Sequence, residues 1–284
     1  MDTSIKGKIC IVTGASSGIG QITALELAKL GAHLVMVCRN PEKGEQARLE
    51  IIRQSRNKDV ELMLADLSSQ RSIREMVESF KQKHSQLHLL VNNAGLIMTE
   101  RQLTEDGLEM TFATNHMGYF LLTTLLLDLL KQSAPARIVN VSSEAHYRGN
   151  MDFDNLQGEK YYNYFEAYGR SKLANILFTH ELSKRLQGTG VTVNCLHPGV
   201  IRTGFGHNTS GIFKWLVKLA GPFLITPEKG AETSVYLATS PEVDGVSGKY
   251  FKRKKVATPR RLAQNDNVSK LLWEVSESLI KSQG

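Results

Sequence analysis

The stretch Lys8-Ile-Cys-Ile-Val-Thr-Gly-Ala-Ser-Ser-Gly-Ile-Gly20 decides the fold of this chain. It opens with a mostly apolar run that is typical of a buried strand, and a glycine-rich turn follows at once. An amphipathic helix then runs to about Leu30. A strand, a glycine turn and a helix in this order direct backbone N–H groups and a helix N-terminus at a phosphate group. We therefore interpret the T-G-x-x-x-G-x-G spacing as a cofactor-binding loop, although glycines alone would also fit a structural turn.

Strand-like runs alternate with amphipathic helices along the rest of the chain. The segment from Gln70 to Lys83, for example, has an apolar face typical of a helix and lies between two such runs. Alternating β and α units predict a parallel sheet covered by helices on both faces. We expect one α/β domain over residues 1–284, a Rossmann-type doubly wound sheet. Its strands should number about seven: Lys8–Thr13, His33–Cys38, Val60–Ala65, Leu87–Val91, Arg137–Ser143, Val191–Leu196 and Gly248–Phe251.

Composition and charge exclude several classes of protein. Hydrophobic residues make up 41% of the chain and charged residues 22%, which is typical of a globular domain. The 35 basic and 28 acidic residues give a net charge of +7, which suits an anionic cofactor or an acidic surface. The basic residues are dispersed apart from two short clusters, 252–255 and 260–261, so no nucleic-acid binding is expected. Three scattered cysteines predict neither a disulfide framework nor a metal site.

The N-terminal sequence and the apolar segments predict a cytoplasmic location. Strand-like hydrophobicity begins by Ile9, so we expect no signal peptide and no transmembrane anchor ahead of it. The leucine-rich run Tyr119–Leu130 is too short and too interrupted to cross a bilayer. The apolar surroundings of Cys10, Cys38 and Cys195 indicate buried thiols, as expected in a reducing compartment.

A tyrosine and a lysine form the strongest candidate for acid–base chemistry. Tyr168 and Lys172 are four residues apart in a helical pattern and therefore share one face of the helix. A lysine ammonium favours tyrosinate, so we expect it to lower the pKa of the tyrosine. Such pairs also arise by chance on solvated helix faces. Asn115 lies inside a predicted long helix from Leu108 to Lys131, where asparagine is unfavourable unless its amide has a partner.

Polar residues stand at the carboxyl ends of several predicted strands. Ligands bind beyond the carboxyl ends of parallel strands, so Thr13, Asn92-Asn93 and Ser143 could line one crevice. The second strand ends at Arg39, where Rossmann units that bind NAD have a carboxylate for the ribose. A guanidinium at this place suits a 2′-phosphate. The sequence thus favours NADP(H) over NAD(H), unless Arg39 is only a surface residue.

Taken together, these motifs resemble those of the short-chain dehydrogenase/reductase superfamily. The resemblance runs from about Lys8 to Phe251, in the order and rough spacing of the family. Within it, the chain most resembles the retinol dehydrogenase-like group, which shares the long interval of 25 residues between Ser143 and Tyr168. Protochlorophyllide reductases are related, but they carry a cysteine where this chain has Ala174. The resemblance rests on Thr13-Gly14-x-x-x-Gly18-x-Gly20, Asn92–Gly95, Asn115, Ser143, Tyr168-x-x-x-Lys172 and Pro198-Gly199, and for the group on Cys38–Asn40, Thr104–Gly107, Ser171–Asn175 and His197–Val200.

The resemblance implies four catalytic residues. Tyr168 would be the general acid in carbonyl reduction and the base in alcohol oxidation, and Lys172 would lower its pKa and hold the nicotinamide ribose. Ser143 would hydrogen-bond the substrate oxygen, and Asn115 would support the proton relay. Ser142 is the competing serine, although strand alternation points the two side chains to opposite faces.

The resemblance also implies the cofactor contacts. Asp66 would lie near the adenine and Thr203 near the nicotinamide carboxamide. His116 and His197 lack the clustered carboxylates or thiols that a metal would need, so no metal is expected. The full set of implied cofactor contacts is Gly14, Ser16, Ser17, Gly18, Ile19, Gly20, Arg39, Asp66, Leu67, Asn93, Ala94, Gly95, Tyr168, Lys172, Pro198, Gly199, Val200 and Thr203.

Residues of about 204–226 lie where this family has its substrate lid. The stretch Ile212–Ala220 mixes large apolar groups with lysines, so it could cover a lipophilic substrate and contact a membrane surface through 212–225, or it could be an ordinary packed helix. We expect an NADP(H)-dependent oxidoreductase, as a monomer or homodimer. Its small-molecule carbonyl or alcohol substrate should be a lipophilic aldehyde or ketone or a retinoid-like compound. The alternatives are an NAD-linked alcohol dehydrogenase and a non-catalytic NADP(H)-binding sensor or scaffold.

Overall fold

One eight-stranded sheet forms the centre of the protein. The computed structural model describes residues 5–199 and 225–281. The strand order is β3-β2-β1-β4-β5-β6-β7-β8, so the chain changes direction across the sheet between β1 and β4. The first seven strands are parallel. The strands are β1 (Ile9–Thr13), β2 (His33–Cys38), β3 (Val60–Leu64), β4 (Leu89–Asn92), β5 (Ala136–Val141), β6 (Val191–His197), β7 (Tyr250–Lys252) and β8 (Lys255–Ala257).

Helices cover both faces of the sheet, as the alternating sequence pattern predicts. Successive strand residues point to opposite faces: Cys10 and Val12 pack in one buried cluster, and Ile11 packs in the other. The first face carries α1 (Gly18–Lys29), α2 (Pro41–Ser55) and α7 (Pro227–Thr239). The second face carries α3 (Gln70–Lys83), α5 (Gly118–Gln132) and α6 (Tyr164–Arg185), with α8 (Asp266–Lys281) packed on α6.

The sheet has one strand more than the expected seven. β8 runs antiparallel to β7, and Lys252 pairs with Lys255 across a two-residue turn. Both turn residues have positive φ, 52° at Arg253 and 63° at Lys254, as in the turns that match the twist of a hairpin. Asparagine and glycine are the usual residues at such positions. The hairpin could not be predicted from the sequence, because two basic residues occupy the turn positions.

The predicted long helix from Leu108 to Lys131 is wrong in detail. The segment is divided into α4 (Met110–Phe112), a π-helix (Ala113–Met117) and α5. Within it, the backbone N–H of Gly118 donates to the carbonyl of Ala113, five residues earlier. Such π-helical turns are rare and are found frequently at functional sites. Asn115 lies at the centre of this one.

Short polar side chains begin most of the long helices. The Asn40 side chain accepts a hydrogen bond from Lys43 N (2.8 Å), and Ser69 Oγ accepts one from Ser72 N (3.1 Å). Asn163 does the same for the first turn of α6. These caps satisfy backbone N–H groups that lack a partner within the helix. Ser17, at the start of α1, makes no such side-chain bond.

No helix within residues 5–199 and 225–281 is long and apolar enough to cross a membrane. Most of the predicted lid, including the stretch Ile212–Ala220, lies outside the described residues. The predicted cofactor contacts Val200 and Thr203 lie outside them too.

Candidate active site

The loops that follow β1 and β4 meet at the point where the strand order changes direction. Thr13 Oγ1 accepts hydrogen bonds from Asn93 N (2.9 Å) and Ala94 N (3.0 Å). In the other direction, Asn93 Nδ2 donates to the Thr13 carbonyl (2.9 Å). This is the place where doubly wound sheets open a crevice for a ligand. The predicted contacts Asn93 and Ala94 therefore lie beside the glycine loop, and Asn93 also holds that loop in place.

Two glycines allow these loops to approach each other closely. A Cβ added to Gly14, which has a φ of 65°, would lie 2.8 Å from the Cα of Ala94. A Cβ added to Gly20 would lie 2.3 Å from Asn93 Nδ2. Contacts under 3.0 Å force a shift of the surrounding atoms. The glycine spacing in the sequence thus has a direct packing cause.

The start of α1 can accept an anion. Ser17 is exposed and does not cap the helix with its side chain, and the first turn contains no acidic residue. The N–H groups of this turn and the positive end of the helix dipole therefore remain available to a phosphate. Gly18 begins the helix with a φ of 58°, and Ile19 follows it. These observations fit the dinucleotide phosphates that the sequence leads us to expect.

An arginine and an aspartate lie side by side where β2 and β3 end. Arg39 Nη1 is 4.0 Å from Asp66 Oδ2, and the Arg39 side chain is 67% exposed. Asp66 Oδ1 accepts hydrogen bonds from the backbone N (2.9 Å) and the hydroxyl (2.7 Å) of Ser68. Ser16 hydrogen-bonds the Cys38 thiol, whose pKa burial raises to about 11. Leu67, also a predicted contact, has its side chain in the hydrophobic core.

Tyr168 and Lys172 share one face of α6, as predicted, but their pKa values move against the expectation. The Nζ of Lys172 lies 5.7 Å from the centroid of the Tyr168 ring and donates to the Val141 carbonyl (3.2 Å). Burial lowers the pKa of Lys172 to about 7. Burial also raises the pKa of Tyr168 to about 12, against the lowering effect of its hydrogen bond with Ser143. Desolvation disfavours both charged forms. In the polypeptide by itself, desolvation outweighs the predicted attraction between the lysine ammonium and tyrosinate.

The adjacent serines occupy different environments. Ser142 is buried, and its hydroxyl donates to the Lys172 carbonyl (2.7 Å). Ser143 is half-buried, accepts a hydrogen bond from Ala145 N (3.1 Å) and hydrogen-bonds Tyr168. Of the two, Ser143 lies beside the phenol.

Asn115 connects the loop after β4 to α6. Its amide makes two hydrogen bonds with the Leu96 backbone: Oδ1 accepts from Leu96 N (2.8 Å) and Nδ2 donates to Leu96 O (2.9 Å). Nδ2 also donates to Ser171 Oγ (3.0 Å), whose hydroxyl donates to the Tyr168 carbonyl (2.8 Å). A Cβ added to Gly95 would lie 3.2 Å from Asn115 Oδ1 and 3.5 Å from Lys172 Nζ. The π-helix thus brings Asn115 against the elements that carry the phenol and the lysine.

Tyr119 belongs to the site, although no sequence motif singled it out. This tyrosine is buried, and its hydroxyl donates to the Ala94 carbonyl (2.7 Å). Its ring centroid lies 5.9 Å from Lys172 Nζ. Tyr119 follows Asn115 by four residues, and this helical spacing could have revealed it.

A group of charged side chains borders the site beyond Ser143. Glu144 pairs with Lys252 and, at 3.4 Å, with His197 Nε2. The hydrogen bond from Lys252 lowers the pKa of Glu144, and burial lowers the pKa of His197 to about 4. The predicted contacts Pro198 and Gly199 directly follow β6 next to this group.

Comparison with known proteins identifies the family. A family model described as short chain dehydrogenase matches residues 8–211. Retinol dehydrogenase 12 of Bos taurus is 46% identical over 281 residues, which is 98% of this chain and 88% of that protein. Retinol dehydrogenase 11 of Homo sapiens is 45% identical, over 97% of this chain and 86% of that protein.

Solved structures support the same assignment. An uncharacterised protein from Mycobacterium paratuberculosis superposes with a TM-score of 0.80 at 32% identity, covering 98% of this chain and 95% of its own. The Pseudomonas aeruginosa RhlG/NADP active-site complex superposes with a TM-score of 0.71 at 27% identity, covering 88% of this chain and 95% of its own. The fold and the resemblance to retinol dehydrogenases that the sequence predicts are thereby confirmed.

Proposed function

The chain belongs to the short chain dehydrogenase family of oxidoreductases, and from this premise we propose that it is an NADP(H)-dependent reductase of a lipophilic aldehyde or ketone. The observation that carries the proposal is the hydrogen bond between Ser143 and Tyr168, with Lys172 on the same helix face. These groups lie at the carboxyl edge of the sheet, where the glycine loop can bind phosphates.

The cofactor would be held mainly by the loops after β1, β2, β3 and β4. The glycine loop Gly14–Gly20 offers its N–H groups to the phosphates, and Asp66 offers a carboxylate to the adenosine. Arg39 offers an exposed guanidinium to a 2′-phosphate. The structural relative with 27% identity that was solved as an NADP complex supports this preference. When bound, the reduced nicotinamide supplies the hydride.

Tyr168 supplies the proton in this proposal. A pKa of about 12 keeps the phenol protonated at neutral pH, which is the state that a proton donor to a carbonyl oxygen needs. Ser143 donates a hydrogen bond to the same oxygen as negative charge develops on it. Lys172 would be charged more readily beside an anionic dinucleotide, and its ammonium would then lower the pKa of Tyr168.

The proposed substrate is a lipophilic, retinoid-like compound. Its support is the identity of about 45% to relatives that are named retinol dehydrogenases. The cytoplasmic location, the state as monomer or homodimer and the membrane contact through 212–225 are parts of the proposal that rest on the sequence. Flotation with anionic liposomes tests the last of these.

An NAD-linked alcohol dehydrogenase is the second candidate. The observation in its favour is the distance of 4.0 Å between Arg39 and Asp66, because the carboxylate partly neutralises the guanidinium that would bind the extra phosphate. Alcohol oxidation also needs Tyr168 as a base, which its raised pKa opposes in the polypeptide alone.

The first experiment follows NADPH absorbance with retinal, medium-chain aldehydes and small ketones. Wild type is compared with Tyr168→Phe, which should lose about 10²- to 10⁴-fold in kcat because the proton donor is removed. Tyr161→Phe is the matched control, since the Tyr161 side chain is 52% exposed and precedes α6. Equal turnover by wild type and Tyr168→Phe would contradict the assignment. Tight NADPH binding without turnover would favour the sensor or scaffold.

A further inference from the structure

Two histidines and a glutamate meet near the amino ends of the strands, at the opposite side of the sheet from the crevice at their carboxyl ends. His33 is the first residue of β2, Glu61 is the second residue of β3, and His84 follows α3. His33 Nε2 lies 2.7 Å from Glu61 Oε1, and His84 Nε2 lies 3.3 Å from Glu61 Oε2. One ligand atom from each residue lies within 4.8 Å of the other two. Within residues 5–199 and 225–281, this is the only such group of three.

The fold itself brings the three side chains together. Glu61 pairs with Val35, two residues after His33, so His33 and Glu61 lie on the same face of neighbouring strands. That face is covered by α3, whose last turn brings His84 over the sheet. The His84 ring packs on Phe80 (4.7 Å between centroids) and meets the His33 ring edge-on at 5.2 Å. These contacts hold both imidazoles beside the carboxylate.

We propose that His33, Glu61 and His84 bind a divalent transition-metal ion, with Zn²⁺ as the representative. Two imidazoles and one carboxylate are a donor set that suits zinc, whereas Mg²⁺ and Ca²⁺ prefer oxygen ligands only. Tetrahedral bonds of about 2.0–2.1 Å would place the ligand atoms roughly 3.3 Å apart. The two histidine nitrogens lie 2.7 and 3.3 Å from different oxygens of Glu61, and one ligand atom of each residue lies within 4.8 Å of the other two, so small side-chain movements would reach that value.

Solvent can supply the remaining ligand. The side chains of His33 and Glu61 are 30% and 32% exposed, whereas that of His84 is 8% exposed. The site is thus anchored on the inside by His84 and open on the outside. Three protein ligands and one water complete a four-coordinate zinc site.

The ion would act on stability rather than on the redox reaction. The length of β2 separates the site from the crevice, because the strand spans about 17 Å from His33 to Cys38. An ion held by all three residues would fasten the end of α3 to two strands. A ligand that binds only the folded state raises the unfolding temperature. We therefore expect Zn²⁺ to stabilise the whole chain without requiring NADP(H).

The test measures Zn²⁺ binding directly on the full chain. Protein treated with EDTA and kept reduced is dialysed against Zn²⁺, and bound metal is counted by mass spectrometry. Wild type should bind one equivalent, and its thermal unfolding temperature should rise with Zn²⁺. His33→Asn and Glu61→Gln should each lower the affinity about tenfold or more, since even the partners of metal ligands contribute about 10- to 100-fold. Their unfolding temperatures should rise less than that of wild type at the same Zn²⁺ concentration.

His180→Gln is the matched control. It removes a histidine that also pairs with a carboxylate, Asp266 at 2.7 Å, but it has no second histidine in that pair. This variant should bind Zn²⁺ as wild type does. Circular dichroism in the presence of EDTA confirms that each variant is folded. Absence of binding by wild type would overturn the proposal, and so would unchanged binding by both site variants, which would assign the metal to other groups.

Discussion

The two sides of the crevice are built by different means. The glycine side, which comprises Gly14–Gly20 and Asn93, offers mainly backbone groups that the Asn93 side chain holds in place, and it continues to Arg39, whose side chain is 67% exposed. The tyrosine side, which comprises Ser143, Tyr168 and Lys172, consists of side chains, and Lys172 is only 3% exposed. On the glycine side water screens the charges, so they can change at low cost to the fold. On the tyrosine side burial moves the pKa values of Lys172 and Tyr168, so each group depends on its neighbours.

After the loss expected for Tyr168→Phe, the largest expected effect separates the two adjacent serines on the tyrosine side. Ser143→Ala should lower kcat about 10²- to 10³-fold, the usual effect of removing one hydrogen-bond donor to a developing oxyanion. Its unfolding free energy should fall by no more than about 1 kcal/mol, because the half-buried hydroxyl caps only the short helical turn that begins at Glu144. Steady-state kinetics and calorimetry measure the two quantities.

Ser142→Ala is the matched comparison. It removes the buried hydrogen bond to the Lys172 carbonyl and should cost about 1–3 kcal/mol of unfolding free energy. A full loss of kcat in Ser142→Ala with normal kinetics in Ser143→Ala would reverse the proposed roles.

A smaller effect is expected on the glycine side. Arg39→Asp should lower the preference for NADPH over NADH about 10- to 100-fold, as expected for the loss of about 1.4–2.7 kcal/mol of phosphate binding. The introduced carboxylate would also lie beside Asp66 and repel the phosphate. The ratio of kcat/KM for the two cofactors measures the preference.

Lys131→Asp makes the same charge change at an exposed position near the end of α5, and it should leave the preference unchanged. A similar preference in wild type and Arg39→Asp would show that the exposed guanidinium does not select the cofactor. The effect of Arg39 should also weaken with added salt, because it lies in water.

The smallest effect concerns stability and its dependence on pH. The usual pKa of lysine is 10.5, and burial lowers that of Lys172 to about 7. Between these values the unfolded chain binds the proton more readily than the folded chain, so this group makes the protein more stable as the pH rises from about 7 to 10.5. Below pH 7 the folded protein must carry the buried charge. Lys172→Met should therefore lose activity. Its unfolding temperature should exceed that of wild type by more at pH 6 than at pH 9, by roughly 2 °C for each kcal/mol of stability gained.

Lys131→Met controls for the loss of an exposed lysine, and it should show no such difference between the two pH values. The Val141 carbonyl keeps a partner in Lys172→Met, since Asn175 Nδ2 also donates to it at 3.3 Å. If Lys172→Met changed the unfolding temperature equally at both pH values, the buried charge would not be the cause of the change.

The parts of the fold that the sequence predicts are those encoded by local patterns. The seven parallel strands appear as apolar runs between helical segments, and each has its counterpart in the sheet. The hairpin of β8 escaped because Arg253 and Lys254 adopt positive φ without the residues that normally signal it. The π-helix was not predicted, because its residues have the same apolar pattern as an α-helix.

The sequence predicted that some residues of the candidate site lie together, but it did not predict their electrostatics. Tyr168, Lys172 and Ser143 follow from motif and spacing, and they do lie together. The direction of their pKa shifts depends on burial, which tertiary packing determines. The proposed metal site had no local signal at all, since His33, Glu61 and His84 are spread over more than fifty residues without a ligand spacing. Only the pairing of β2 with β3 and the end of α3 unite them.

The number of residues in the π-helix determines which face of α5 points to the core. Each residue of an α-helix turns the chain by about 100°, so one residue more or fewer before Gly118 would rotate the whole of α5 by that angle. The buried positions Leu122, Leu126 and Leu130 would then leave the core beneath the sheet. The same residue count sets where Asn115 meets Leu96. A deletion between Ala113 and Met117 would thus appear in a melting curve as well as in an activity assay, because core and crevice share one helical register.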